Sequence, residues 1–388
     1  MPEITEKDYE IVVFTDDWFG LPFSCKHLLK HFLPDVPLVW VETIGLRSPR
    51  LNIYDTKRSF QKLKGWLSGE KAEAEKSRPQ NLKLIDPFQI PYNQFGFIRK
   101  LNAQLMIKCL NRQSPKQKRK RVFLTTWPFM GGVAGKIGDD LSIYYRVDDF
   151  AEFPGVNKPL IQKLEKGLIE NVNMVVASAE KLAHFELDTK AHYLPHGVDY
   201  DHFNIDRDLI EKPEPLKKYK RPLVGFFGLL NSWLDLEVVR ESALSNPKMD
   251  YVMIGPSQLP DNQLPKAPNM HYLGPVPYEQ LPEFAAYFDV ALVPFKINDL
   301  TIAVNPLKLM EYFALGVPVV STPLPEVMKY KPDVEIGGTA DEITRAIKHV
   351  LANDTPEKRE KRKRIARDKS WIAMSLQLQG WIEAELDL

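Results

Sequence analysis

Residues 305–326 read "NPLKLMEYFALGVPVVSTPLPE", a pattern that predicts a short helix followed by a buried strand. Asn305 suits the N-cap of the helix, and Pro306 suits its first position. Gly316 suits the C-terminal cap, and Pro318 prevents the helix from continuing. A helix that leads directly into an apolar strand is the repeating unit of a parallel α/β fold, so this stretch indicates the fold class.

Two charged residues of this helix are not explained by local helix rules. A lysine in the first turn, Lys308, opposes the helix dipole unless an anion lies nearby. Glu311 follows three positions later and therefore shares its helix face. Free N–H groups at the helix start, together with Lys308, can hold a phosphate or diphosphate, and Glu311 can accept hydrogen bonds from a ribose diol. The alternative is an ordinary surface Lys–Glu pair.

The strand–helix alternation extends over most of the chain. In the first half, apolar runs predict strands at 11–15, 36–42, 122–126, 141–147 and 173–178, with a further strand in "NLKLID". In the second half, "PLVGFFG", "DYVMIG", "MHYLG", "DVALVPF" and "VPVVST" are the strand candidates. This alternation predicts mostly parallel, doubly wound sheets.

A polar, strand-poor segment divides the alternation into two halves. We predict an N-terminal Rossmann-like domain at 1–200, a linker at 201–221 and a C-terminal Rossmann-like domain at 222–370. Residues 371–388 form a final helix that is a candidate for crossing back to the first domain. Ligands of such folds bind at the carboxyl ends of the strands, so a cleft between the two domains is the expected site.

Composition fits a globular protein of about two domains. Of the 388 residues, 44% are hydrophobic and 27% are charged. The net charge of +1 gives no indication of nucleic-acid binding. Cys25 and Cys109 cannot form a disulfide framework, which favours a reducing cytoplasm. The polar N-terminus predicts no signal peptide, and no run approaches the ~18 apolar residues of a membrane-spanning helix.

Four segments resemble the GT-B glycosyltransferases of group 1, which are family 4-like. They are "VGFFGLLNSWLD" (224–235), "MHYLGPVPYEQLPEFAAYFDVALVPF" (270–295), "PLKLMEYFALGVPVVSTPLPEV" (306–327) and "LPHGVDYDHF" (194–203). The resemblance covers 222–330 most clearly and implies a GT-B fold, two Rossmann-like domains that face each other across a cleft. It also implies a nucleotide diphosphate sugar as co-substrate, with no cofactor and no metal required.

The resemblance assigns the donor-binding residues. It implies that Lys308 holds the diphosphate and Glu311 the ribose, while the base is held by main-chain contacts at Val276. The loop Gly228, Leu229 and Leu230 would bring its backbone to the phosphates. Many retaining members carry an acidic residue eight positions before Glu311, where this chain has Ala303, so another group must contact the donor sugar or that contact is missing.

The catalytic candidates follow a predicted strand of the first domain, in "YYRVDDFAEFPG" (144–155). Glycosyl transfer needs a base for the proton of the acceptor hydroxyl, and a carboxylate can take it. The segment resembles the bacterial xanthan glucuronosyltransferase family, whose Tyr-Arg-x-x-Asp pattern puts the base at Asp149, with Asp148 second. The alternative is that either aspartate only caps the following turn.

The loop after the first strand, "TDDWFGLPFS" (15–24), provides the acceptor-side candidates. Asp17, Trp18 and Ser24 can line an acceptor, because loops after strands commonly carry function. Packing of Trp18 inside the domain is the equal alternative. His196 in "PHGVD" is a further candidate near the cleft.

The remaining motifs of the sequence do not indicate a different class of enzyme. "GGVAGK" (131–136) lacks P-loop spacing, and no G-x-G-x-x-G follows a strand, which argues against a dehydrogenase. "DYD" and "DRD" lie at the predicted linker and suit solvated turns. The basic run "KQKRKR" (116–121) either contacts an anionic membrane surface or forms an ordinary solvated loop.

The sequence therefore predicts a glycosyltransferase that moves a sugar from a nucleotide diphosphate donor to a hydroxyl of a glycan or lipid-linked glycan, in synthesis of a bacterial surface polysaccharide. The expected location is the cytoplasm, including the inner face of the plasma membrane as a peripheral protein. The alternatives are a GT-B nucleotide-sugar epimerase and a non-catalytic nucleotide-sugar-binding subunit.

Overall fold

The computed structural model describes residues 7–20, 23–45, 79–184, 191–219 and 222–388. The sequence of residues 66–80, "WLSGEKAEAEKSRPQ", predicts an exposed connection, and all but the last two of these residues lie outside the described ranges. Contacts between Cα atoms divide the chain into two compact units. The first unit comprises 1–178, 182–194 and 375–388, and the second comprises 179–181 and 195–374.

The first unit contains a seven-stranded sheet in which every pairing is parallel. Its strands are β1 (Tyr9–Thr15), β2 (Leu38–Glu42), β3 (Leu82–Ile85), β4 (Lys120–Thr125), β5 (Leu141–Arg146), β6 (Met174–Ala177) and β7 (Ala191–Tyr193). Their order across the sheet is β3-β2-β1-β4-β5-β6-β7. Buried apolar side chains cover the central strands on both faces, as is typical of a parallel sheet.

The second unit contains a six-stranded parallel sheet. Its strands are β8 (Leu223–Phe227), β9 (Asp250–Ile254), β10 (Met270–Gly274), β11 (Val290–Val293), β12 (Val319–Ser321) and β13 (Val334–Ile336). Their order is β10-β9-β8-β11-β12-β13. The chain reverses its direction of travel between β1 and β4 in the first sheet and between β8 and β11 in the second. Such switch points are where doubly wound folds bind ligands.

Helices connect the strands. They are α1 (Ser24–Leu29), α2 (Gly96–Gln113), α3 (Lys158–Ile169), α4 (Glu180–Ala183), α5 (Tyr200–Phe203), α6 (Leu236–Ser245), α7 (Leu281–Ala285), α8 (Leu307–Ala314), α9 (Pro325–Met328), α10 (Ala340–Asn353), α11 (Pro356–Asp368) and α12 (Trp371–Glu385). Short 3-10 helices lie at Pro128–Gly132, Phe150–Glu152, Arg207–Leu209, Glu214–Leu216, Asp261–Gln263, Tyr278–Gln280 and Thr301–Ala303. The predicted doubly wound α/β architecture is confirmed in both units.

Residues 201–219 of the segment predicted as a linker belong to the second unit. Phe203 and Leu216 are both fully buried in the core of that unit. The ring of Phe203 lies 6.0 Å from that of Phe227 at the end of β8. Charged residues around these two apolar anchors concealed them in the sequence. The main part of the second unit begins at Pro195, and residues from Ser375 onward belong to the first unit.

The basic run 116–121 is divided between a loop, in which residues 116–118 are exposed, and the start of a strand. Its last two residues begin β4, and Arg121 is fully buried with its Nε donating to Glu10 Oε1 at 2.7 Å. Lys116 forms a salt bridge with Asp140 at 2.5 Å. The buried Arg121 needs a partner such as Glu10, because an unpaired charge in the interior is strongly unfavourable.

Candidate functional site

The loop at the end of β8 contains positions where there is no room for a side chain. Gly228 has φ +140° and Gly255, at the end of the neighbouring β9, has φ +138°. A Cβ atom on Gly228 would overlap the Lys308 side chain, and one on Gly255 would overlap the Gly228 carbonyl. Residues with a side chain rarely adopt these φ values, so both positions require glycine. The Lys308 side chain can therefore run directly across the loop.

The rest of the predicted loop is held by main-chain hydrogen bonds. The N–H of Leu230 donates to the Pro256 carbonyl, and the Leu230 carbonyl accepts from the N–H of Gln258, both at 2.9 Å. The Leu230 side chain is buried, whereas that of Leu229 is partly exposed. Leu229 is thus the member of the pair whose side chain is accessible at this edge of the sheet.

Helix α8 starts one residue later than predicted. Pro306 occupies the N-cap, and the helix runs from Leu307 to Ala314, before Gly316 at φ +73°. Asn305 does not cap this helix, because its side-chain amide donates to Glu326 Oε2 at 3.5 Å. Since α8 connects β11 to β12, its N-terminus lies at the carboxyl end of the sheet, where the glycine loop also lies.

Lys308 and Glu311 remain without ionic partners in the described part of the chain. Lys308 makes no salt bridge there, and its Nζ lies 6.0 Å from the centroid of the Phe226 ring. Glu311 Oε2 is buried and accepts no hydrogen bond. Burial raises the pKa of Glu311, while the Lys308 charge acts in the opposite direction. The pair therefore offers a cation and a hydrogen-bond acceptor to a ligand rather than to each other.

Val276 and Tyr278 lie in the loop after β10. The partly buried Val276 packs against the core of the second unit. The Tyr278 ring stacks on His202 at 4.6 Å, and its pKa is raised by burial and then by the nearby carboxylates of Glu311 and Asp199. Sequence reasoning missed Tyr278, although "PYEQ" directly follows the predicted base-binding position.

His196 is buried near the start of α8. The side chain is 7% exposed, and its Nδ1 lies 3.0 Å from the Asn305 carbonyl oxygen. Its Nε2 is buried without a hydrogen-bond partner among the residues described. Burial lowers the pKa of His196 to about 4, against the opposing effect of the Asn305 carbonyl, so the ring is neutral at neutral pH.

In the first unit, the two aspartates after β5 have different environments. The Asp149 carboxylate accepts a hydrogen bond from the N–H of Ala151 at 3.3 Å and caps the 3-10 helix Phe150–Glu152. Burial, and then the charge of Asp149, raise the pKa of Asp148 to about 7. The turn-capping role left open by the sequence thus falls to Asp149. Asp148 is the carboxyl group whose pKa suits proton transfer near neutral pH.

The acceptor-side candidates occupy the carboxyl end of β1 and the start of α1. Asp17 Oδ1 accepts a hydrogen bond from the N–H of Phe19 at 2.9 Å. Trp18 is 7% exposed, and its ring contacts that of Trp40 edge-on at 4.9 Å, so it packs inside the unit. Ser24 is the partly exposed first residue of α1.

A row of aromatic rings that the sequence reasoning did not identify lies beside the aspartates. Trp127, which follows β4, contacts Phe129 and Phe150 at centroid distances of 5.7 and 5.1 Å, and Phe153 extends the row. Trp127 Nε1 is buried and donates to no described residue. The signal in the sequence was the aromatic spacing of "TTWPF" and "DDFAEF" at the ends of consecutive strands.

The described residues provide neither a metal cluster nor a helix that could span a membrane. Within those ranges, the fold brings together no group of three or more His, Cys, Asp or Glu side chains suited to hold a metal ion. None of the helices there combines the length and apolarity needed to cross a bilayer.

Comparison with protein families matches residues 221–353 to the family described as Glycosyl transferases group 1. A curated relative, the putative teichuronic acid biosynthesis glycosyltransferase TuaH of Bacillus subtilis (strain 168), is 27% identical over 245 residues. That match covers 58% of this chain and 60% of the relative, so the chain aligns with less than two thirds of the relative's length.

Solved structures match over nearly the whole chain. The crystal structure of HepE from Anabaena in complex with UDP and glucose has a TM-score of 0.67 and 13% identity, and the match covers 96% of this chain and 99% of HepE. A trehalose-6-phosphate structure from E. coli, bound with UDP-2-fluoro glucose, has a TM-score of 0.67 and 11% identity, with 98% and 99% covered. Together the comparisons confirm the predicted GT-B fold and the resemblance to group 1 glycosyltransferases. They do not show the narrower resemblance to the xanthan enzymes.

Proposed function

We propose that this chain is a glycosyltransferase that moves a sugar from a nucleotide diphosphate donor to a hydroxyl of a glycan or lipid-linked glycan. The observation that carries the proposal is the constellation at the carboxyl end of the second sheet. There Lys308 crosses the glycine loop at Gly228, and Glu311 presents a buried oxygen that no described residue engages. A cation beside exposed backbone and a helix start suits a diphosphate, and the carboxylate suits a ribose diol.

The nature of the donor is further supported by the structural neighbours, which were solved with UDP, with UDP and glucose, or with UDP-2-fluoro glucose bound. We propose that the base contacts the main chain around Val276 and that no metal takes part in binding the diphosphate. Because TuaH is named for teichuronic acid biosynthesis, we propose synthesis of a bacterial surface polysaccharide as the cellular role.

For the chemical step, we propose Asp148 as the base. The acceptor oxygen attacks the anomeric carbon, the bond from that carbon to the diphosphate oxygen breaks, and the hydroxyl proton passes to the Asp148 carboxylate. The nucleoside diphosphate leaves with the electron pair of the broken bond, and Asp148 later returns its proton to solvent. Asp149 supports this step by fixing the turn that follows Asp148.

For the acceptor, we propose the aromatic row at the carboxyl end of the first sheet. Trp127 and Phe153 are partly exposed, and aromatic side chains are common in the walls of ligand sites. Asp17 and Ser24 remain acceptor-side candidates because their side chains are also partly exposed.

Release of nucleoside diphosphate tests the proposal. The full chain is incubated with UDP-, GDP- and dTDP-sugars, with and without a detergent-solubilised lipid extract from bacterial cells. We expect one donor to be turned over in a manner that depends on the extract. Donor binding without release would instead favour a nucleotide-sugar-binding subunit. Conversion of the donor into an epimeric nucleotide sugar without transfer would favour an epimerase.

A further inference from the structure

His196 is a buried polar side chain that the proposed mechanism does not use. Its ring is 7% exposed, and one nitrogen, Nδ1, lies 3.0 Å from the Asn305 carbonyl oxygen. The other nitrogen, Nε2, is buried and has no hydrogen-bond partner in the ranges described. Leaving a buried polar atom unpaired is unfavourable, so such an atom in a folded protein needs an explanation.

The hydrogen bond to Asn305 determines which proton the ring carries. A carbonyl oxygen can only accept, so Nδ1 must hold the proton. Since burial lowers the pKa of His196 to about 4, the ring is neutral at neutral pH. Nε2 is therefore an acceptor with a free lone pair. Its missing partner must supply an O–H or N–H group.

The position of His196 narrows the class of partner. Asn305 lies three residues before Lys308, so the imidazole contacts the segment that opens α8. A diphosphate oxygen carries no proton at neutral pH and would repel the Nε2 lone pair, which leaves the phosphates to Lys308. The hydroxyls of a nucleotide sugar are its suitable donors.

Two buried acceptors thus belong to, or contact, the segment that carries Lys308. Glu311 Oε2 lies one turn inside the helix and His196 Nε2 lies near its start. With the ribose assigned to Glu311, the hydroxyls that remain are those of the sugar. The nearby Ala303 side chain is a buried methyl group and provides no acceptor.

We propose that Nε2 of His196 accepts a hydrogen bond from a hydroxyl of the sugar half of the nucleotide sugar, an inference that rests on the proposed function. His196 then determines sugar specificity. A donor that lacks this hydroxyl leaves Nε2 unpaired and binds less well.

The substitution His196→Asn isolates this contact. The asparagine amide occupies the place of Nδ1 and can keep the hydrogen bond to the Asn305 carbonyl, while the acceptor at Nε2 is lost. The full chain is titrated by calorimetry with the nucleotide sugar that it turns over and, separately, with the matching nucleoside diphosphate. We expect affinity for the nucleotide sugar to fall about three- to tenfold, with affinity for the nucleoside diphosphate unchanged.

His196→Gln provides the matched second variant, because its longer side chain can return an oxygen acceptor to the place of Nε2. We expect it to bind the nucleotide sugar more tightly than His196→Asn, and thermal unfolding of both variants reports their folding. Equal losses for both ligands, or no loss for either, would overturn the contact with the sugar while leaving the proposed function intact. Failure of the parent chain to bind either ligand would remove both proposals.

Discussion

The two sheets share one strand order through their first six strands, but their carboxyl ends carry different chemistry. In the second unit, the end of β8 is bare backbone beside Lys308, with the buried oxygen of Glu311 one turn along α8. In the first unit, the end of β5 carries Asp148, whose pKa is about 7, next to a row of aromatic rings. The shared topology thus determines where a ligand can bind in each unit. The side chains at that edge of the sheet determine its chemistry, which is a cation beside backbone groups in the second unit and a carboxyl group of raised pKa in the first.

The largest effect is expected from the first unit. Asp148→Asn should lower kcat by ~10²–10⁴, because a positioned base contributes about that much, while donor affinity stays at the parental value. Asp149→Asn is the matched control, since asparagine caps a turn as well as aspartate does. Turnover is measured for both variants at saturating donor.

The opposite pattern, with Asp149→Asn inactive and Asp148→Asn near parental, would give the base to Asp149. If both variants kept near-parental turnover, neither aspartate would be the base. A route in which the leaving phosphate takes the proton would then be preferred.

The next effect concerns the second unit. Lys308→Ala should weaken binding of the nucleoside diphosphate by about 10- to 100-fold, because it removes a charge-assisted contact of about 1.5–3 kcal/mol. Lys348→Ala, an exposed lysine of α10 in the same unit, controls for the loss of one positive charge. Calorimetric titration gives both affinities. An unchanged affinity in folded Lys308→Ala would contradict the proposal that the diphosphate binds at this edge of the sheet.

A smaller effect concerns the free energy of unfolding, whose pH dependence should reflect Asp148 at the edge of the first sheet. Asp148 has a pKa of about 7 in the folded state and about 3.9 when unfolded, so between these values the folded state binds the extra proton. Stability from this group is present at low pH and is lost as pH rises towards 7. Asp148→Asn should therefore raise the free energy of unfolding at pH 8 by on the order of 2 kcal/mol and have little effect near pH 4.

Urea unfolding at both pH values measures this difference. Asp149→Asn should give a smaller gain at pH 8, because it removes only the second of the two causes that raise the pKa of Asp148, the neighbouring charge, and leaves its burial. A stabilisation of Asp148→Asn that is equal at both pH values would contradict the raised pKa and weaken its assignment as the base.

The smallest effect concerns the basic run. We expect Lys118→Gln to reduce co-sedimentation with anionic vesicles by no more than about fivefold, in a salt-sensitive way, since one charge near a membrane contributes ~1 kcal/mol. Lys118 is exposed, whereas Lys116 and Arg121 already pair with Asp140 and Glu10. Equal sedimentation of variant and parent would contradict a contact between the basic run and the membrane surface.

What the sequence could predict depended on how local the deciding interaction was. Lys308 and Glu311 were identified because helix rules within one turn left their charges unexplained. The pairing of Arg121 with Glu10 joins residues 111 positions apart, so the sequence alone read a buried arginine as part of a surface run.

The choice between Asp148 and Asp149 as the base also depended on the backbone register, which the sequence pattern does not contain. β5 ends at Arg146, and a 3-10 turn begins at Phe150, so one residue's difference in register decides which carboxylate caps. Likewise, Phe203 and Leu216 are two apolar residues in a charged segment, and only the folded core shows that they anchor it. The missed Tyr278, Trp127 and Asn305 contacts are of the same kind.

The glycine loop also limits how this protein can change by mutation. At Gly228 and Gly255 almost any substitution adds a Cβ atom where Lys308 or a carbonyl already lies, so neither position can contribute a new side chain to the ligand. Under the proposed donor assignment, nucleotide preference would change through neighbours that already carry side chains, such as Leu229 and Val276. If the proposed donor site is used to engineer a different nucleobase preference, those two positions are the ones to randomise, with both glycines kept.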